Sequence, residues 1–250
     1  MVDKKAETIN LKAKSKKEFL LLHGYTGSPT DFNSLPQYLH EKFNANVKVL
    51  RFVGHGTKVQ DLDKLENKDF LKQVEREVKK DLKKGREIMV VGYSYGAQLA
   101  LYLAEKYPLK GIVIISIAYK FKFPFNLSLI EYLSLIIKYY RKLLPWSERK
   151  LRENSFYYKY MPSKVLRMIR ELNEKIEKIL KNVTCPVLDV YAKRERYANC
   201  KYSKEIQKKV SSKIFECEIL PDLNHNLFYS RSREMLYLII ERFVRKHNLF

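Results

Sequence analysis

Short apolar runs alternate with amphipathic segments through the first half of the chain. Residues 17–23, 46–52, 87–92 and 111–117 are rich in Val, Ile, Leu, Phe and Met, and 87–92 and 111–117 are nearly continuous apolar runs. Runs of that kind predict parallel strands covered on both faces. Between them, residues 31–43, 69–84 and 95–106 carry apolar positions at helical spacing. Ser28, Pro29 and Thr30 stand at the start of the first helix; the second stops before Gly85 and the third before Pro108. Residues 8–14 predict one further early strand. The alternation then breaks. Residues 120–182 show helical patterns only, and the strand–helix rhythm returns at 186–192, 203–210, 214–220 and 233–246. The pattern predicts an α/β core made of residues 1–119 and 183–250, interrupted by an inserted helical cap at 120–182. The central sheet should be mostly parallel, with helices on both faces.

Composition narrows the class. A chain of 250 residues suits one α/β domain with an insertion. Three cysteines in no paired or metal-ligand spacing argue against a disulfide framework and for a reducing, cytoplasmic setting. The first residues are polar and basic, with no secretory signal core. The apolar stretch 127–137 is broken by Glu131, so no stable membrane insertion is expected. The net charge of +21 favours anionic partners in general. The basic residues are scattered, however, and no nucleic-acid motif is present, so a solvated lysine-rich surface is the better reading and nucleic acid is not expected as a partner. Peripheral contact with an anionic membrane surface ranks below that reading.

Glycine usage points to chemistry. Six of only eight glycines fall in three tight segments: Gly24 and Gly27, Gly54 and Gly56, Gly92 and Gly96. The last pair belongs to Gly92-Tyr93-Ser94-Tyr95-Gly96, set between a buried strand and a helix. A serine on such a strand-to-helix turn is pushed out of the sheet with its hydroxyl accessible, and small flanking residues leave it room.

An exposed serine needs a base, and the base needs an acid to orient it. Of five histidines, His225 follows the last strand and precedes the last helix. Loops at the carboxyl ends of strands are where open α/β sheets place their ligands. His40, on a helix, and His247, in the terminal tail, are surface residues on this reading. Glu195 follows the strand at 186–192 and is the best-placed acid. Asp189 falls inside that strand, and Asp222 sits in the His225 turn. Glu195 could instead pair with Arg194 or Arg196 at the surface. An oxyanion hole requires two backbone N–H groups. Tyr95, after the serine and at a helix N-terminus, supplies one. Tyr25, in His23-Gly24-Tyr25-Thr26-Gly27, is the candidate for the other. His23 reads as a hydrogen-bonding brace, and His55 as part of its own glycine turn.

These segments occur in a fixed order. Leu21-Leu22-His23-Gly24-Tyr25-Thr26-Gly27-Ser28-Pro29 with Asp31-Phe32 comes first, then Gly54-His55-Gly56-Thr57 with Asp61-Leu62. Val90-Val91-Gly92-Tyr93-Ser94-Tyr95-Gly96 follows, then Pro186-Val187-Leu188, Glu195 and His225. In this order the chain resembles the α/β-hydrolase fold, and within it the small bacterial-type carboxylesterases and monoacylglycerol lipases. The resemblance implies Ser94 as nucleophile, Glu195 as triad acid, His225 as base, and Tyr25 and Tyr95 as oxyanion donors. His23, Gly24, Gly92 and Gly96 would be supporting turn residues. It implies hydrolysis of small carboxylic esters with no metal and no organic cofactor. Two positions depart from the pattern: a glutamate stands where an aspartate is usual, and Ala97 stands where a second glycine commonly follows the elbow.

Residues 120–181 hold fifteen Lys or Arg against six acids, with seven Tyr or Trp among residues 132–160. Substrate preference therefore does not carry over from the resemblance. The same machinery would serve a carboxylesterase, a monoacylglycerol lipase or a thioesterase. A binding protein that kept the fold and lost the chemistry is the competing class.

Overall fold

A computed structural model describes residues 1–119, 136–142, 155–193, 201–221, 227–230 and 233–250. Seven strands form the main sheet: β1 (Ile9–Leu11), β2 (Lys17–Leu22), β3 (Asn46–Leu50), β4 (Glu87–Tyr93), β5 (Gly111–Ile115), β8 (Val187–Ala192) and β9 (Phe215–Leu220), in the order β1-β3-β2-β4-β5-β8-β9. β1 pairs antiparallel with β3, and every other pairing in this sheet is parallel. The apolar runs follow from that placement. Successive residues of β4 point to opposite faces, and both faces are covered. Ile88 and Val90 join Leu20, Leu22, Ile112 and Ile114 on one side, while Met89 and Val91 join Phe19, Leu21, Val113 and Ile115 on the other.

The first face is covered by α2 (Asn67–Leu82), α3 (Tyr95–Lys106), α4 (Val165–Ile179) and α5 (Lys201–Lys209). The second is covered by α1 (Leu35–Phe43) and α6 (Arg233–Lys246). The chain leaves β2 for β3 on one side, then returns to place β4 on the other. The strand order therefore reverses at β2, and open α/β sheets set their ligands beyond the carboxyl ends of the strands at such a point.

Local chemistry sets several boundaries. The helix expected at 31–43 is split: a 3-10 turn, Pro29–Phe32, is followed by Asn33 at φ 49, and α1 begins only at Leu35 with Pro36 in its first turn. α2 starts two residues earlier than its apolar pattern because Glu66 and Asp69 form a reciprocal capping box, with Glu66 N–H donating to Asp69 Oδ2 at 2.8 Å.

Among the described residues of 120–182, one α-helix is present as expected, and two strands are present that the pattern does not announce. Two short strands, β6 (Tyr139–Arg141) and β7 (Tyr160–Pro162), pair antiparallel as a separate sheet. α4 packs along α3 and buries Val165, Met168, Ile169, Leu172 and Ile176 in the main core. Gln98 Nε2–H of α3 donates to Asn173 Oδ1 at 2.6 Å, and Asn173 Nδ2–H donates to Ala118 O at 2.8 Å. α4 is thus a layer helix of the sheet, tied in by polar bonds as well as apolar contact.

Candidate active site

Ser94 caps α3 directly after β4, with φ 54 and ψ −113. That region is uncommon for a residue with a side chain and costs on the order of 1–3 kcal/mol. Its surroundings hold it there. Ser94 N–H donates to Ile115 O at 2.9 Å on the neighbouring strand, and Ala97 N–H donates back to Ser94 O at 3.0 Å. Ser94 is half-buried, while Gly92, Tyr93, Tyr95 and Gly96 around it are buried. The flanking glycines answer to space. A Cβ on Gly92 would lie 2.3 Å from Gly96 O, and one on Gly96 would lie 1.9 Å from Leu22 O. A Gly92 Cβ would also stand 2.6 Å from Ala97 Cα, and Ala97, where a second glycine is common, is fully buried.

The turn after β2 lies against the serine. A Cβ built on Gly24 would sit 3.6 Å from Ser94 Cβ, in ordinary contact. The Gly24 carbonyl accepts two bonds, from His23 Nδ1–H at 2.8 Å and from Gly27 N–H at 3.0 Å. In a planar trans peptide the N–H points opposite the C=O. Fixing Gly24 O therefore fixes the direction of the Tyr25 N–H. His23 is buried and accepts at Nε2 from Phe52 N–H at 3.4 Å. Burial, with His55 nearby, pushes its pKa well below the ordinary value, so it works as a neutral tautomer. His55 places Nε2 against Tyr25 O and faces Val53 O with Nδ1 at 3.1 Å. Burial lowers it to about 4. Being neutral, it has one proton, which serves Tyr25 O. Both carbonyls that bracket the Tyr25 residue are thus held from behind.

The side chains of Tyr25 and Tyr95 point away into the core. Their rings meet edge to face at 5.5 Å, both against Phe70. Tyr25 O–H donates to Met168 Sδ at 3.4 Å, and Tyr95 O–H donates to Asn67 Oδ1 at 2.8 Å. What these two residues present toward Ser94 is backbone.

Glu195 and His225 lie outside the described residues, as do Asp222, Tyr132 and Trp146. The strands that precede them end together: Ala192 pairs with Leu220, and Lys193 N–H donates to Leu220 O at 2.8 Å. Glu195 follows Ala192 by three residues and His225 follows Leu220 by five. The other four histidines are all engaged. His40 Nδ1 bonds Ala45 O at 2.8 Å, His247 Nε2 meets Glu216 at 2.6 Å, and His23 and His55 are committed to the turns above. Asp189 is wholly buried on the α3–α4 side, level with Gly92 through Ile114. Burial pushes its pKa up to about 7, against the smaller opposing pull of the Ser203 and Tyr191 hydroxyls. Among the described residues, no group of three or more His, Cys, Asp or Glu could hold a metal ion.

Some contacts over the site were not legible in the sequence. Lys142 Nζ donates to Thr26 Oγ1 at 3.1 Å, Ser28 Oγ donates to Phe156 O at 3.0 Å, and Tyr158 O–H donates to Gly54 O at 3.3 Å. Residues far apart along the chain are joined here, so no local spacing announces them. Gln98 is the exception: one amide in the otherwise apolar helix face Ala97-Gln98-Leu99-Ala100-Leu101 is a readable sign of a polar tie.

A family model described as serine aminopeptidase, S33, matches residues 13–231. The chain belongs to this family of α/β-hydrolases. It is 23% identical to a carboxylesterase of Bacillus subtilis (strain 168) over 235 residues, 92% of this chain and 93% of the other. It is 36% identical to a thermostable monoacylglycerol lipase of Bacillus sp. (strain H-257), but over 100 residues only, 40% of each chain. Among solved structures, one from work on the metagenome-derived lipolytic enzymes LipS and LipT superposes with a TM-score of 0.86 at 19% identity, covering 99% of this chain and 100% of that one. The monoacylglycerol lipase of Paleococcus ferrophilus gives 0.75 at 16% identity, covering 96% and 98%. These similarities establish the α/β-hydrolase fold for the S33 member described here.

Proposed function

We propose that this S33 family member is a serine hydrolase that cleaves small carboxylic esters through an acyl-enzyme on Ser94. The observation that carries the reading is the meeting of Ser94, at φ 54, with the Gly24 turn, whose peptide is fixed by two donors. Ser94 Oγ attacks the ester carbonyl while His225 takes its proton. The tetrahedral oxyanion accepts from the Tyr25 and Tyr95 N–H groups. His225 then gives the proton to the leaving alcohol, and water repeats the sequence to release the acid. Glu195 orients His225 and balances the imidazolium. The engagement of the other four histidines supports His225 as the base. The chemistry needs no metal and no organic cofactor. The cysteine usage favours a cytoplasmic setting, and the first part of the insertion, before α4, is the segment we assign to the cap.

The family's descriptive name refers to a peptidase, and the same elbow can attack an amide. Similarity along almost the full length to a carboxylesterase favours the ester. Within ester substrates, a monoacylglycerol is the second reading, on the strength of the 100-residue match. Ser94→Ala should lower turnover of a p-nitrophenyl ester by at least about a thousandfold with the thermal transition unchanged. Activity within about tenfold of the parent would remove Ser94 from the nucleophile's role. Comparing a 1-monoacylglycerol with a simple alkyl ester of the same acid separates the two ester readings.

A further inference from the structure

The high positive charge is not spread evenly over the surface. Every fully exposed position of α2 is basic: Lys68, Lys72, Arg76, Lys79 and Lys80. Lys83 and Lys84, at the helix end, continue the series. At 3.6 residues per turn these positions, apart from Lys84, fall within about a third of the helix circumference and run about 22 Å along it. The four acids of α2 are all engaged, and two of them also pair with cations of this face: Glu75 with Lys79 at 3.6 Å and Glu77 with Arg76 at 3.6 Å. Asp69 caps the helix start. Glu75 accepts from Tyr102, from Lys106 Nζ at 2.9 Å and from Tyr107 at 3.3 Å. Glu77 and Asp81 both pair with Lys48 beneath the helix. The other long surface helices differ: exposed positions of α4 mix Arg170, Lys175 and Lys178 with Glu174 and Glu177, and those of α6 mix Glu234 with Arg242, Arg245 and Lys246.

Lys68, Lys72, Lys80 and Lys83 make no ion pair among the described residues. Like charges gathered without counter-charges repel one another unless an anion offsets them. At the amino end of α2 stands a second feature. The β6–β7 hairpin packs on the 3-10 segment Val59–Lys64 just before α2, with Tyr139 O–H bonded to Asp63. It exposes Ile136, Ile137, Tyr140 and Tyr160, with Lys138, Arg141 and Lys159 also exposed. Ile136 is 71% exposed. Isoleucine, tyrosine and lysine together suit the boundary between headgroups and acyl chains.

We propose that the basic face of α2, with the neighbouring hairpin, docks this protein on an anionic lipid bilayer. Lysines outnumber arginine on the face, which suits a point-charge attraction to headgroups without geometric readout. The exposed isoleucines of the hairpin favour a bilayer over a nucleic acid, whose phosphates offer an aliphatic side chain nothing. The proposal concerns where the protein sits and does not depend on the reaction at Ser94.

The test uses the full chain and a variant carrying Lys68→Gln, Lys72→Gln, Lys80→Gln and Lys83→Gln, with a charge-matched control carrying Lys4→Gln, Lys12→Gln, Lys14→Gln and Lys16→Gln. Each is sedimented with phosphatidylcholine vesicles containing about 30 mol% phosphatidylglycerol or none. The parent should bind the anionic vesicles at about 50 mM salt and leave them at about 500 mM. The α2 variant should bind at least about tenfold more weakly, and the control less than about threefold. Hydrolysis of a soluble ester should be the same in all three. No binding by the parent, equal losses in the two variants, or retention on duplex DNA in place of vesicles would each overturn the proposal.

Discussion

At Ser94 the backbone carries strain so that one oxygen can be presented. The φ of 54 costs a little locally, and the bonds to Ile115 and Ala97, with glycines at 92 and 96, keep the residue in place. Asp189 is the other residue in an unfavourable state, and it gives a pH prediction. Its pKa is raised to about 7 in the folded protein by burial, whereas in the unfolded chain it ionises near the ordinary 3.8. The folded state therefore keeps a proton that the unfolded state has lost. Its contribution is fully present below about pH 4, falls as pH rises, and is gone above about pH 7. Asp189→Asn keeps the shape without the charge. It should flatten the decline in stability between those values and raise the melting temperature at pH 8. A variant that melts lower than the parent at pH 8 would show that the Asp189 carboxylate is held by a positive partner. Because Asp189 sits mid-strand and faces the α3–α4 layer, this change should leave ester turnover nearly intact.

Among the elements, α4 shows how far a sequence pattern reaches. Its apolar spacing announces a helix, and the strands of the main sheet are equally plain, because burial on both faces leaves an unbroken apolar run. What spacing alone does not tell is which layer a helix joins. The apolar face of α4 packs into the main core, and Gln98, Asn173 and the Ala118 carbonyl, far apart in the chain, add a polar tie. The β6–β7 pair escaped notice for a related reason. Two strands of three residues each give too short a run for alternation to show. The turns at Ser94 and at Gly24 are readable, since each is a local glycine-bounded segment. The carbonyl grip of His23 and His55 was only half readable, because it depends on contacts across β2 and β3. Asn173→Ala tests the tie. It removes both amide bonds and leaves the buried Gln98 amide one acceptor short, so unfolding should become easier by about 1–3 kcal/mol. In urea titrations the midpoint should fall with an unchanged slope. An unchanged midpoint would mean that α4 is held by apolar packing alone.

As a whole molecule this S33 member is a serine hydrolase, and we propose that Ser94, His225 and Glu195 act in it as one unit. The net charge of +21 says nothing about that chemistry, and the sorting of cations onto α2 gives it a separate task. The decisive measurement is labelling by a fluorophosphonate, a transition-state mimic that captures only an activated serine, followed by mapping of the modified peptide. A single adduct on Ser94 is expected, formed more slowly while an excess of ester substrate is present and slowed by at least about a hundredfold in both His225→Ala and Glu195→Gln. No adduct in the folded parent protein, or an adduct on any other residue, would contradict it.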